Sequence, residues 1–151
     1  ASVFAIVLGA KIFVGFISFT GIAASLSIWA LSLDLPPMGV LLALSMIYII
    51  LGTFMDPLGI MLLTLPVVTP VVEQLGYDLI WFGVIMVKLL EIGLITPPVG
   101  LNVYVLKGVV GDAVPIETIF KGIAWFLAMD VLTLVLLLAF PAISLWLPNS
   151  F

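Results

Sequence analysis

Glu91-Ile-Gly-Leu-Ile-Thr-Pro-Pro-Val-Gly-Leu-Asn102 lies in the middle of a long apolar run, yet it cannot continue as one helix. Pro97 and Pro98 remove two consecutive backbone donors and clash with the turn before them. Each also pushes its predecessor out of the α region, which applies to Thr96 and Pro97. Gly93 and Gly100 flank the interruption and loosen it further. In lipid an unsatisfied carbonyl costs several kcal/mol, so broken backbone at membrane depth survives only inside protein or along a cavity. The break therefore reads as half of an ion and substrate site.

Composition supports that setting. Of 151 residues, 65% are hydrophobic and only 8% charged, with a mean hydropathy of +1.49. Soluble domains carry roughly a quarter charged residues. The expected class is an all-α integral membrane protein, multi-pass, in contact with the lipid bilayer. There is no histidine and no cysteine. That removes thiol nucleophiles, disulfides, His/Cys zinc sites and Ser-His-Asp triads, and an enzyme is not expected. Four lysines and no arginine leave no footprint for nucleic acid. A chain that starts with Ala1 inside an apolar segment suggests a fragment, a processed chain or one half of a larger protein.

The chain reads as one membrane unit over 1–151. Residues 2–22 predict a transmembrane helix containing Lys11. Residues 23–35 predict an amphipathic interfacial arm, with serines at 25, 27 and 32 and with Trp29. Asp34-Leu-Pro-Pro37 ends that arm and puts a proline at the start of the next helix. Residues 38–74 predict a re-entrant helical hairpin with its tip at 53–59. The stretch is too long for one span and too short for two with a proper loop, and Asp56-Pro57 supplies a turn. Residues 79–110 predict a discontinuous helix broken at 95–100. Residues 116–147 predict the final span, with Trp125 and Trp146 near its ends. Lys107 and Lys121 flank the loop near 111–115 and place it in the cytoplasm by the positive-inside rule, so the hairpin opens to the periplasm.

Two interruptions offer four helix ends. Carbonyls at the C-terminal ends, near Gly52–Met55 and Gly93–Ile95, carry partial negative charge. The N-terminal ends, near Leu58 and Gly100, offer free N–H groups. Gathered carbonyls suit Na⁺ and nearby amides suit a carboxylate. Asp56 is either a ligand or the turn-former of the tip. Thr53 and Asn102 either touch substrate or cap a helix end, and Pro97 and Pro98 shape the gate. Lys88 and Glu91, three apart, form an intramembrane ion pair or take a protonation or substrate role. Asp130 lies near an interface or against a polar partner.

The segments LGTFMDPLGIMLLTLPVVTPVVEQLGYDLIWFGVIMV and EIGLITPPVGLNVYVLKGV, with IFKG and FPAISLWLP near the end, resemble the C-terminal half of the large membrane subunit of TRAP transporters, the tripartite ATP-independent periplasmic transporters. The resemblance implies one inverted-repeat half of an elevator-type ion transporter in a bacterial or archaeal cytoplasmic (inner) membrane. It implies Na⁺ as coupling ion and import of acidic metabolites, such as C4-dicarboxylates or sialic acid, delivered by a periplasmic substrate-binding protein. The partners it implies are the N-terminal half of the large subunit and a small membrane subunit. It also implies a Na⁺ site at Gly52, Gly93, Thr96 and Val99. The residues agree with that: glycine permits close approach, and the Gly93 and Leu94 carbonyls, each four before a proline, lose their helical donors. A binding-protein-independent Na⁺/dicarboxylate symporter of related fold is the alternative, but its tips would carry Ser-Asn-Thr-type sequences, which this chain lacks. A non-transporting scaffold subunit would leave the broken helix without an ion. An intramembrane aspartyl protease would need a Gly-x-Gly-Asp partner for Tyr77-Asp78, and none exists.

Overall fold

The computed structural model describes residues 2–21, 24–25, 28–29, 32, 35–97 and 99–150. Among the described residues the regular elements are all helical. In chain order they are α1 (Ser2–Thr20), α2 (Pro37–Phe54), α3 (Pro57–Gln74), α4 (Leu79–Ile95), α5 (Leu101–Val110), α6 (Ile116–Ala139) and α7 (Ala142–Leu145). Single 3₁₀ turns follow at Gly111–Ala113 and Pro148–Ser150. Among the described residues three helices are long and apolar enough to cross a membrane: Pro37–Phe54, Pro57–Gln74 and Ile116–Ala139. The chain divides into two compact units, Ala1–Leu44 with Met55–Phe82, and Ser45–Phe54 with Gly83–Phe151.

In the first unit α1 packs on α3. Ile17, Leu41, Ile60, Val71, Val72 and Trp81 are among its buried side chains. The helix expected over 2–22 ends at Thr20, because Gly21 takes φ +69 and turns the chain out of the right-handed helix. The arm expected over 23–35 lies largely outside the described residues. Where the next helix begins, the Pro36 carbonyl accepts the first N–H groups, from Gly39 at 2.7 Å and Val40 at 3.3 Å. Pro37 thus occupies the first helical position, where its missing donor costs nothing.

α2 and α3 have 18 residues each, or about 27 Å apiece at 1.5 Å per residue. Only Met55 and Asp56 join them. Asp56 is the N-cap of α3, extended at φ −64 and ψ 134, with Oδ2 accepting from the Gly59 N–H at 3.1 Å. Pro66 and Pro70 stay inside α3 without ending it. The α3 C-terminus closes through Gly76, at φ +80. The Gly76 N–H donates to the Glu73 carbonyl at 2.9 Å, and the Tyr77 N–H to the Val72 carbonyl at 3.2 Å. This crossed pair is the Schellman arrangement, which satisfies carbonyls the helix leaves open. Asp78 then caps α4, its Oδ1 accepting from Ile80 N–H at 2.7 Å and Trp81 N–H at 3.1 Å. One helix is closed and the next opened within five residues.

The second unit buries Tyr48, Ile85, Leu89, Leu90, Ile92 and Val103. Here the final helix differs from expectation. A single span over 116–147 is not formed: α6 stops at Ala139, Phe140 leaves the helical region at φ −127 and ψ 77, and α7 covers only Ala142–Leu145. The cause is Pro141, which bars its predecessor from the α region and cannot donate to the preceding turn. Trp146 therefore lies beyond the break. Trp125, Phe126, Met129 and Leu132 are exposed along α6, an apolar face suited to lipid.

Because Asp78 satisfies two N–H groups at once, Asp78→Ala is expected to lower stability by about 1 kcal/mol while Asp78→Asn keeps most of it. Unfolding midpoints of the detergent-solubilised chain measure the difference.

Candidate functional site

Gly52 and Gly93 meet backbone to backbone in the second unit. A Cβ built on Gly93 would lie 2.7 Å from the Gly52 Cα, 2.8 Å from its carbonyl carbon and 3.0 Å from the Ile49 oxygen. A Cβ on Gly52 would lie 3.1 Å from the Gly93 Cα and 3.5 Å from the Leu90 oxygen. Both glycines are buried. The absence of side chains lets the last turns of α2 and α4 approach until backbone touches backbone, with the Ile49 and Leu90 oxygens at the contact. Thr53, beside Gly52, is 5% exposed, and its hydroxyl donates to the Ile50 carbonyl at 2.7 Å.

At the break the freed groups are partly reused. Pro97 cannot donate to Gly93, but the Gly93 carbonyl instead accepts the Thr96 N–H at 3.2 Å. The expectation that this carbonyl loses its donor is therefore corrected: a three-residue bond replaces the four-residue one. A carbonyl has two lone pairs, so this one keeps the capacity to accept once more. The Thr96 hydroxyl donates to the Ile92 carbonyl, which leaves its own lone pairs facing outward from that bond. Val99, half-buried, follows in the turn, and Pro98 lies outside the described residues. Gly100 takes φ +59, and a Cβ there would come 3.2 Å from the Phe120 ring. Phe120 on α6 thus packs against the point where the chain re-enters the helix.

The other candidates sit as follows. Asp56 is exposed and engaged as the α3 cap, as a turn-former would be. Asn102 is exposed in the first turn of α5, and Pro97 is exposed. Lys88 meets Glu91 Oε2 at 2.9 Å and Asp130 Oδ1 at 2.6 Å. Asp130 was the partner sequence reasoning left unassigned. Its side chain is 26% exposed and that of Glu91 is 56% exposed, so the bond to α6 is the more enclosed of the two. An acid alone in an apolar helix was the available signal, since such a group normally has a partner. Lys107 is tied into its loop, donating to the carbonyls of Gly111 at 2.6 Å and Val114 at 3.0 Å.

Among the described residues no group of three or more His, Cys, Asp and Glu is placed to hold a metal ion. What Gly52, Gly93, Thr96 and Val99 offer is neutral oxygen, from carbonyls and one hydroxyl. Such donors suit a hard, singly charged cation, stripped of part of its water, at a helix C-terminus.

The family model described as "Tripartite ATP-independent periplasmic transporter, DctM component" matches residues 1–143. The chain is 39% identical to the C4-dicarboxylate TRAP transporter large permease protein DctM of Pseudomonas aeruginosa, over 95% of the chain and 33% of that protein. It is 32% identical to the sialic acid TRAP transporter large permease protein SiaM of Vibrio cholerae, over 96% of the chain and 34% of that protein. It is 34% identical to the isethionate TRAP transporter permease protein DctMQ of Oleidesulfovibrio alaskensis, over 77% of the chain and 18% of that protein. The chain spans about a third of the length of the first two.

The asymmetry of the glycine contact has a measurable consequence. Gly93→Ala forces a Cβ to 2.7 Å from backbone, Gly52→Ala only to 3.1 Å. Overpacking of this kind costs about 1–3 kcal/mol. Gly93→Ala is expected to lower the thermal midpoint more than Gly52→Ala, and equal effects would argue against the contact.

Proposed function

Because this chain belongs to the DctM component family of tripartite ATP-independent periplasmic transporters, we propose that it is the C-terminal inverted repeat of a large permease subunit and carries one of its Na⁺ sites. In this reading the permease is a Na⁺-coupled secondary transporter of the elevator type, not an enzyme. It imports acidic metabolites, carboxylates such as C4-dicarboxylates or sialic acid, handed over by a periplasmic substrate-binding protein. It works with the rest of the large subunit and a small membrane subunit in the cytoplasmic membrane. The names of the relatives, which specify C4-dicarboxylates, sialic acid and isethionate, support an anionic cargo.

The observation that carries the sodium reading is the bare approach of Gly52 to Gly93 beside a helix interrupted at Thr96–Gly100. Gly52, Gly93 and Val99 supply carbonyls and Thr96 its hydroxyl, its carbonyl or both. α2 and α3 are then the two arms of a re-entrant hairpin, with the Asp56 cap holding its tip. The mechanism follows from charge. A cation among these oxygens neutralises the partial negative charge of two helix C-termini. That lowers the cost of bringing an anionic substrate near the N–H groups at the start of α5. Neither ligand is bound well alone, so cation and anion bind together, and this links an ion gradient to carboxylate import.

Uptake in proteoliposomes containing the complete transporter tests this. Uptake of a dicarboxylate or sialic acid is expected with Na⁺ and binding protein both present, and not with choline replacing Na⁺. Thr96→Ala is expected to raise the Na⁺ concentration for half-maximal uptake by roughly tenfold, since loss of one hydrogen-bonding or ligating oxygen is worth about 1–1.5 kcal/mol. A Na⁺ response unchanged by Thr96→Ala removes that hydroxyl from the site, and uptake indifferent to Na⁺ rejects the reading.

A further inference from the structure

Lys88 lies five residues before Gly93 on α4, which turns it about 140° around the helix from the glycine. Gly93 and Leu90 face α2 at the glycine contact, and Lys88 faces α6, where Asp130 Oδ1 receives its ammonium at 2.6 Å. α4 is therefore gripped from opposite sides within the second unit. One grip has no clearance and the other is an ion pair between helices 42 residues apart in sequence. Rotation of α4 about its axis swings Gly93 away from Gly52 and, in the same movement, stretches the Lys88–Asp130 bond. Glu91 competes for the same ammonium at 2.9 Å but sits on α4 itself. A bond within one helix places no constraint on how that helix is turned.

We propose that Asp130, acting through Lys88, is a positioning residue that sets the rotation of the broken helix and so keeps the Gly93 carbonyl at the candidate ion site. This rests on the sodium reading above for its functional consequence, but the rotational lock is testable without it. Losing Asp130 leaves Lys88 with Glu91, which satisfies its charge, so α4 stays folded but loses its fixed orientation. Residues in direct contact or sharing a partner give non-additive effects in a mutant cycle, and unconnected ones add.

The test combines two measurements on the complete transporter purified in detergent. The first is a cycle of thermal midpoints. Gly93→Ala is expected to lower the midpoint fully in the native background but by less than half as much beside Asp130→Asn, where α4 can turn away from Gly52. Glu91→Gln is expected to leave the full Gly93→Ala effect, and the charge swap K88D/D130K to restore it. Additive effects overturn the lock. If Asp130→Asn does not fold, the swap decides alone, and a folded swap variant tolerant of Gly93→Ala overturns the lock too. The second is stabilisation by NaCl against choline chloride at constant ionic strength. Asp130→Asn is expected to raise the half-point for Na⁺ about tenfold, with the swap returning it to within threefold of the native value. A native half-point in Asp130→Asn overturns the positioning role. A native protein that Na⁺ does not stabilise, with the cycle still non-additive, removes the sodium reading and leaves the lock standing.

Discussion

Where Gly93 passes Gly52, the space for a side chain is already occupied by the neighbouring backbone, 2.7 Å from where a Cβ would sit. Two helices this close exchange side-chain packing for direct van der Waals contact between main chains. They also carry carbonyl dipoles to within reach of one another. In lipid, where helices gain nothing from excluding water, small residues of this kind are the usual means of bringing helices together. Everything nearby is arranged around the contact. Thr53 is buried, Thr96 ties Gly93 and Ile92 into a tightened last turn, and the prolines end α4 directly afterwards.

Charge is the second organising constraint. A charged group at mid-helix depth costs at least about 2.5–3.5 kcal/mol unless paired, and one lysine here serves two carboxylates. Removing one member of an enclosed pair strands the other, which costs about 3–5 kcal/mol. Lys88 escapes that outcome by having a second acid within reach. The cluster can thus be rearranged without leaving the ammonium bare.

Much of this was legible in the residues and some was not. Pro97-Pro98 announced the interruption, since no helix supplies donors that proline lacks. Asp56 before Pro57 read as a turn position from short-range chemistry alone, with a ligand role left open beside it. Pro141 was equally visible, yet the apolar run around it suggested a span to 147 where the helix ends at Ala139. The bond from Thr96 N–H to the Gly93 carbonyl could not be anticipated by counting four residues back from a proline, because it depends on how the last turn tightens. Asp130 could be seen as a lone acid but not matched to Lys88, since pairing across 42 residues is fixed by packing. The four proposed Na⁺ positions came from family resemblance. The residues by themselves specified only a place rich in free carbonyls.

The early stop at Pro141 also fixes the depth of α6. Its first turns carry Glu117 and Lys121, which prefer the headgroup layer, and from Gly122 to Ala139 the helix runs about 27 Å at 1.5 Å per residue. That is slightly less than a typical hydrocarbon thickness of about 30 Å. Bounded by charge at one end and by a proline break at the other, the apolar stretch of α6 has no spare length. In a thicker membrane the lipids must thin around it, so the helix acts as a gauge of bilayer thickness.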